Sequence, residues 1–147
     1  MKKYVAGFLF SQDSSKVVMI KKINPAWQNG LLNGVGGKIE IGEQAIDAMT
    51  REFEEETGVV TNAGQWTHFA QVYRPECYDV AFFFARSDLA FEARTVEQEE
   101  VQLIDVANLP KNLLPNLRWL IPLALDQQAD FSAPIKITEV AGERVKA

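Results

Sequence analysis

Cysteine and histidine are nearly absent: the 147 residues contain one of each, Cys77 and His68. A lone thiol cannot close an internal disulfide, so no disulfide framework holds the chain, which agrees with a reducing compartment. No apolar stretch approaches the roughly 18 residues that a helical membrane span needs. Basic residues are outnumbered, 15 against 20 acidic, for a formal charge of −5. That deficit argues against duplex nucleic acid as the main partner, because such binding needs concentrated Lys and Arg. Repeats, low-complexity tracts and linker-like stretches are missing too, and the length suits one core, so a single domain over residues 1–147 is expected. With 47% hydrophobic and 24% charged residues the composition is that of an ordinary globular protein. The opening segment, Met1 to Ser15, has two lysines and an apolar run but no small-residue cleavage pattern, so it reads as a strand and a cytoplasmic location is expected.

What is present is unevenly distributed. Between Gly37 and Val59 stand seven acids, Glu40, Glu43, Asp47, Glu52, Glu54, Glu55 and Glu56, against Lys38 and Arg51, so this segment carries the whole net charge. Apolar and β-branched runs at Tyr4 to Ser11 and Lys16 to Lys21 predict two strands around a short turn. Asn24 to Gly37 holds Pro25, Asn29, Gly30, Asn33, Gly34, Gly36 and Gly37, too many breakers for helix or strand, and predicts a long loop of the kind that carries function. Gln44 to Thr57 predicts a helix closed by Gly58 in the left-handed conformation. Further strands are expected at Trp66 to Tyr73, Tyr78 to Arg86, Val101 to Val106 and Ile135 to Val140, with a second helix at Leu117 to Gln128. Strands interrupted by two well-separated helices imply an α/β fold, a mixed sheet with helices on its faces.

On a wheel of about 100° per residue, Glu52, Glu55 and Glu56 share one patch at i, i+3, i+4 spacing. Ile46, Met49 and Phe53 form the neighbouring core stripe, and Ala45 and Ala48 are expected to leave space above the backbone. A solvated acidic face is the plain alternative. Against it, like charges so spaced cost roughly 0.2 to 0.5 kcal/mol per pair, and they crowd the C-terminal turns, where the helix dipole disfavours negative charge. A bound cation reverses that balance, and an all-oxygen cluster without His or Cys favours Mg2+ or Mn2+ over zinc.

The segment Gly37 to Val59, GKIEIGEQAIDAMTREFEEETGV, resembles the Nudix box, G-x5-E-x7-R-E-U-x-E-E-x-G-U with U a bulky apolar residue, at every defined position: Gly37, Glu43, Arg51, Glu52, Phe53, Glu55, Glu56, Gly58 and Val59. The resemblance implies an α/β/α sandwich whose box forms a loop-helix-loop, and a hydrolase of nucleoside diphosphates linked to a further group. It implies that Glu52, Glu55 and Glu56 hold a divalent ion, Mg2+ or Mn2+, that the Gly36 carbonyl adds an oxygen, and that Glu43 and Arg51 support them. Arg51 lies one turn before Glu55 and can orient it. The family often draws another acid from a loop outside the box, and Glu97 or Glu100 is favoured for this, ahead of Glu99.

Asn33 to Lys38, Pro75 to Val80 and Leu114 to Pro122 are similar to the MutT-type branch, which acts on oxidised purine nucleoside triphosphates. This similarity implies that Asn33 and Asn116 bond a purine edge, since an amide offers a donor and an acceptor in one plane, and that Gly37 and Lys38 lie along the substrate. Phe69, Trp119 and Trp27 are candidate walls for the ring. The plainer readings are a turn residue for Asn33, a helix N-cap for Asn116 and core packing for the aromatics. Leu117 stands where some relatives carry a second polar base contact. Pro75, 16 residues beyond the box, is a position associated with ADP-ribose pyrophosphatases, which makes ADP-ribose or a nucleotide sugar the alternative substrate. A nucleotide-sensing or RNA-binding module is a third reading, disfavoured by the intact box glutamates. A small-molecule nucleotide is the expected partner, with neither duplex nucleic acid nor membrane, and the oligomeric state is left open.

Overall fold

The computed structural model describes residues 2–140. Its first strand, β1 (Lys2–Phe10), is buried from Val5 to Phe10 without a break, as a strand covered on both faces must be. Ala6, Phe8 and Phe10 enter one apolar layer with Phe69, Phe82, Leu117, Leu120 and Ile121, whereas Val5 and Leu9 enter another with Met49, Phe53, Trp66 and Phe83. After β1 come β2 (Lys16–Lys21), β3 (Leu32–Asn33), β4 (Val35–Lys38), α1 (Ala45–Thr57), β5 (Thr67–Arg74), β6 (Tyr78–Arg86), β7 (Glu100–Asp105), α2 (Leu117–Leu125) and β8 (Ile135–Thr138). α1 covers one face of the mixed sheet and α2 the other, the α/β/α sandwich expected from the sequence.

β1 runs parallel to β6, which pairs antiparallel with β5, and β5 pairs parallel with β8. On its other edge β1 divides its partners. Residues Tyr4 to Gly7 pair with β4 and Leu9 and Phe10 with β2, which continues to β3 and β7. Through this division β4 enters the sheet and delivers the chain to the start of α1.

Three expectations change. The glycine-rich segment is not all loop, for Leu32–Asn33 and Val35–Lys38 are strands. Glycine is what allows it: a Cβ on Gly36 would lie 1.9 Å from the Val5 carbonyl oxygen of β1. Ala48 leaves no space above the helix, since it is fully buried beside Met49 and Phe53. α2 stops at Leu125, where the Asp126 carboxylate accepts from the Gln128 N–H at 3.0 Å and turns the chain. No helix among the described residues is long and apolar enough to cross a membrane.

Candidate active site

α1 begins after Gln44 and closes on Gly58, whose φ of 76° is left-handed and whose N–H donates to the Glu54 carbonyl. Within it Arg51 organises the acids. Its Nε and Nη2 donate to the two oxygens of Glu43 at 2.8 and 2.9 Å, a planar fork on a carboxylate. Nη2 also reaches the Lys38 carbonyl at 3.0 Å, while Nη1 donates to Glu52 at 2.9 Å and, at 3.3 and 3.4 Å, to Glu55. One guanidinium thus ties the loop before the helix to two of its carboxylates. The bond from Arg51 holds Glu43 below the usual carboxylate range. Glu52 goes the other way, because burial outweighs the same arginine and raises its pKa. Space for this carboxylate depends on bare backbone: a Cβ on Gly37 would sit 2.5 Å from it.

Glu56 is the least satisfied of the three. Its Oε2 is buried without a hydrogen-bond partner. Burial first, then the charges of Glu97, Glu99 and Glu52, push its pKa up to about 7, against an opposing pull from Lys22. A half-buried carboxylate among other carboxylates is costly unless a positive charge joins it. Among the described residues no three acidic, histidine or cysteine side chains converge as a ready-made metal cage. Glu52 and Glu55 turn to Arg51 instead. The donor set nevertheless fits a hard divalent cation, being all oxygen and containing an orphaned buried carboxylate oxygen.

The acids outside the box separate. Glu97 bears on the site, since its charge raises the pKa of both Glu52 and Glu56. Glu99 takes Lys22 at 3.1 Å and the Ile23 N–H at 2.6 Å. Glu100 is not brought to the group. In β7 Val101 packs in the layer under α1 and Ile104 in the layer under α2, so strand alternation aims Glu100 to the α2 side, where it accepts from Gln102. That alternation was readable once the strand began at Glu100 rather than Val101. The pairing of Lys22 with Glu99 had no sequence signal, because the two are 77 residues apart.

The expected base contacts also divide. Asn33 accepts the Gly34 N–H on Oδ1 at 2.7 Å, a local turn bond, and directs Nδ2 to Gln28 at 3.5 Å. Asn116 caps nothing: its backbone is already helical, its side chain makes no cap bond, and its Oδ1 is buried without a partner. Phe69 corrects the expectation of a ring wall. It is fully buried, edge-on to Phe84 and Phe131, and out of reach of a ligand. Trp119 and Trp27 are 41% and 60% exposed, and Trp119 projects from the side of α2 opposite its buried residues. The Lys38 side chain is exposed, and its carbonyl serves Arg51. Gly36 pairs with Ala6 across β4 and β1.

The NUDIX domain model matches residues 1–124. The MutT protein described for Aliivibrio salmonicida and Vibrio cholerae is 23% identical, with a TM-score of 0.64 over 84% of this chain and 97% of that one. The NUDIX domain of Shewanella oneidensis NrtR, solved with ADP ribose, is 20% identical, with a TM-score of 0.70 over 86% and 88%. A MutT protein from Bacillus halodurans, 19% identical, has a TM-score of 0.65 over 86% and 84%. At these identities the solved structures establish a shared fold, and the family model, covering most of the chain and all of the box, shows that the protein belongs to the Nudix family of pyrophosphohydrolases.

Proposed function

We propose that the chain hydrolyses nucleoside diphosphate derivatives with Mg2+ or Mn2+ held by Glu52, Glu55, Glu56, Glu97 and the Gly36 carbonyl. The observation that carries this reading is the buried, unpaired Oε2 of Glu56 amid further carboxylates. The ion, when bound, offsets the diphosphate charge and polarises the anhydride. Arg51 holds Glu52 and Glu55 on one guanidinium nitrogen, and Glu43 and the Lys38 carbonyl keep Arg51 in place. A water oxygen forms a bond to phosphorus, the bridging P–O bond breaks, and the proton released by water passes to a carboxylate or to solvent.

A purine nucleoside triphosphate, including an oxidised one, is the favoured substrate. The Asn116 Oδ1 lacks a donor, and Asn33, with Oδ1 engaged by Gly34 and one Nδ2 hydrogen directed to Gln28, retains its second Nδ2 hydrogen. An acceptor and a donor so presented suit a purine edge that carries both. The similarity to two MutT proteins supports this reading, and the likeness to an ADP-ribose-bound domain supports the alternative of ADP-ribose or a nucleotide sugar. Lys38 and Gly37 would lie along the phosphates, and Trp119, exposed on α2, offers an aromatic surface for the base. The retained box acids disfavour a purely sensing or RNA-binding module. The test is a panel of dGTP, 8-oxo-dGTP, dATP, dCTP, ADP-ribose and a nucleotide sugar with Mg2+, products separated by chromatography. Nucleoside monophosphate and pyrophosphate without orthophosphate are expected. AMP and ribose 5-phosphate from ADP-ribose, at much higher kcat/KM, would promote the alternative, and no turnover of any substrate would favour the sensor.

A further inference from the structure

β2 and β7 are paired over six residues each, from Lys16 opposite Asp105 to Lys21 opposite Glu100. Where that ladder ends, one side chain continues it. Glu99 Oε1 accepts from Lys22 Nζ at 3.1 Å, and Oε2 accepts the N–H groups of Ile23 at 2.6 Å and Asn24 at 3.4 Å. Both charged side chains are largely shielded, Lys22 at 20% and Glu99 at 15% exposure. The Lys22 backbone is itself fixed to the far side of its loop, donating to the Leu31 carbonyl at 2.8 Å and accepting from Gly30 at 2.9 Å. The ladder already holds the two strands, so the clamp is redundant for joining them. What it adds is a fixed position for the loop that leads into β7.

We infer that Glu99 is a positioning residue for the metal site: by clamping its loop to Lys22 and the Ile23 and Asn24 amides, it holds the Glu97 carboxylate toward Glu52 and Glu56. Only Gln98 separates the two acids, so a displacement of Glu99 is passed along at most ~7 Å of chain to Glu97. Val96, the residue before Glu97, lines one cleft with Arg51 and Glu55, so the clamped loop lies against the acidic turns of α1. Groups that orient a ligand without touching the metal commonly change metal affinity by about 10- to 100-fold when removed. This inference rests on Glu97 as a ligand in the proposed function.

The test is a mutant cycle on the full chain, with Mn2+ affinity read by electron paramagnetic resonance of the free ion and thermal midpoints read in parallel. Glu97→Gln and Glu99→Ala are each expected to weaken Mn2+ binding by about 10-fold or more, and the double variant no further than Glu97→Gln alone. Glu99→Gln keeps an acceptor for the Ile23 N–H but loses the charge opposite Lys22, so it falls between wild type and Glu99→Ala. If Glu99→Ala does not fold, the same cycle with Glu99→Gln decides. A lowered thermal midpoint with unchanged Mn2+ affinity would reduce Glu99 to a structural clamp and overturn the inference. Full additivity in the double variant would overturn it as well, by making Glu99 independent of Glu97. Unchanged affinity in Glu97→Gln removes Glu97 from the ligand set, a failure of the functional reading that takes the positioning role with it.

Discussion

Glu56 shows how a side chain can be poor for folding and apt for binding. Its orphaned oxygen and its crowded charge oppose the folded state, and both are relieved by a cation. Glu56→Gln should therefore raise the thermal midpoint in EDTA, abolish most of the stabilisation by Mg2+, and lower kcat by about 100-fold or more. For the unaltered chain, Mg2+ at about one hundred times its Kd should add about 2.7 kcal/mol. Melting curves with and without Mg2+ check both statements, and equal Mg2+ stabilisation in the two proteins would remove Glu56 from the site. Gly37 makes the complementary case. The nearest atoms a methyl group there would meet are those of the Glu52 carboxylate, the far end of a flexible side chain that can swing away by giving up its bond from Arg51. Gly37→Ala should accordingly leave the thermal midpoint nearly unchanged while weakening Mn2+ binding, because the swing removes a ligand. A large loss of stability with intact binding would contradict that reading.

At the scale of elements, α1 is fixed by a guanidinium as well as by its apolar stripe. Arg51→Lys retains the charge but not the fork, so the paired bonds to Glu43 and the bond to the Lys38 carbonyl cannot all be kept. The expected cost is about 1 to 2 kcal/mol in denaturant unfolding, with kcat down by at least about 10-fold. Wild-type kcat in that variant would show that charge alone suffices. The β5–β6 pair carries a pH dependence of its own. His68 stacks on Phe83 with ring centroids 5.0 Å apart, and burial holds its pKa below the ordinary 6.5. The unfolded chain binds that proton at the ordinary value and the folded chain resists it. The stability contribution is thus complete above pH 6.5 and is lost as pH falls through that value toward the folded-state pKa. Between about pH 7.5 and about pH 5.5 the urea midpoint of the wild type should fall further than that of His68→Gln. Parallel slopes for the two proteins would assign the acid sensitivity to other groups.

For the whole molecule, the sheet keeps its two faces distinct. The layer under α1 supports the acids, and the layer under α2 holds Phe69 with Phe8, Phe84 and Phe131. Phe69→Ala should cost about 3 to 5 kcal/mol and leave the ratio of kcat/KM among dGTP, 8-oxo-dGTP, dATP and dCTP unchanged. Asn116→Ala should do the reverse. It removes an unpaired buried acceptor at little cost to stability and flattens that ratio by roughly 1 to 3 kcal/mol of lost discrimination. Unaltered selectivity in Asn116→Ala would return Asn116 to a purely local role.

The box itself was legible in the sequence, because its residues lie within a few helical turns. Spacing alone puts Glu52, Glu55 and Glu56 on one patch and Gly58 at the left-handed end, and an apolar run alone marks β1 as a strand. Tertiary structure decided the rest, since contact between distant segments has no local periodicity. It made the glycine segment a strand, because only the neighbouring β1 supplies the carbonyl that leaves no room for a Cβ at Gly36. It sent Phe69 into the core and Glu100 to the far face, according to which layer each strand position meets. It turned Arg51 first to Glu43 and Glu52 rather than to Glu55, one turn away, because a guanidinium takes the best-aligned carboxylates wherever the chain brings them. Glu97 was separated from its acidic neighbours in the same way, by the course of a loop that Lys22, far off in the chain, helps to hold.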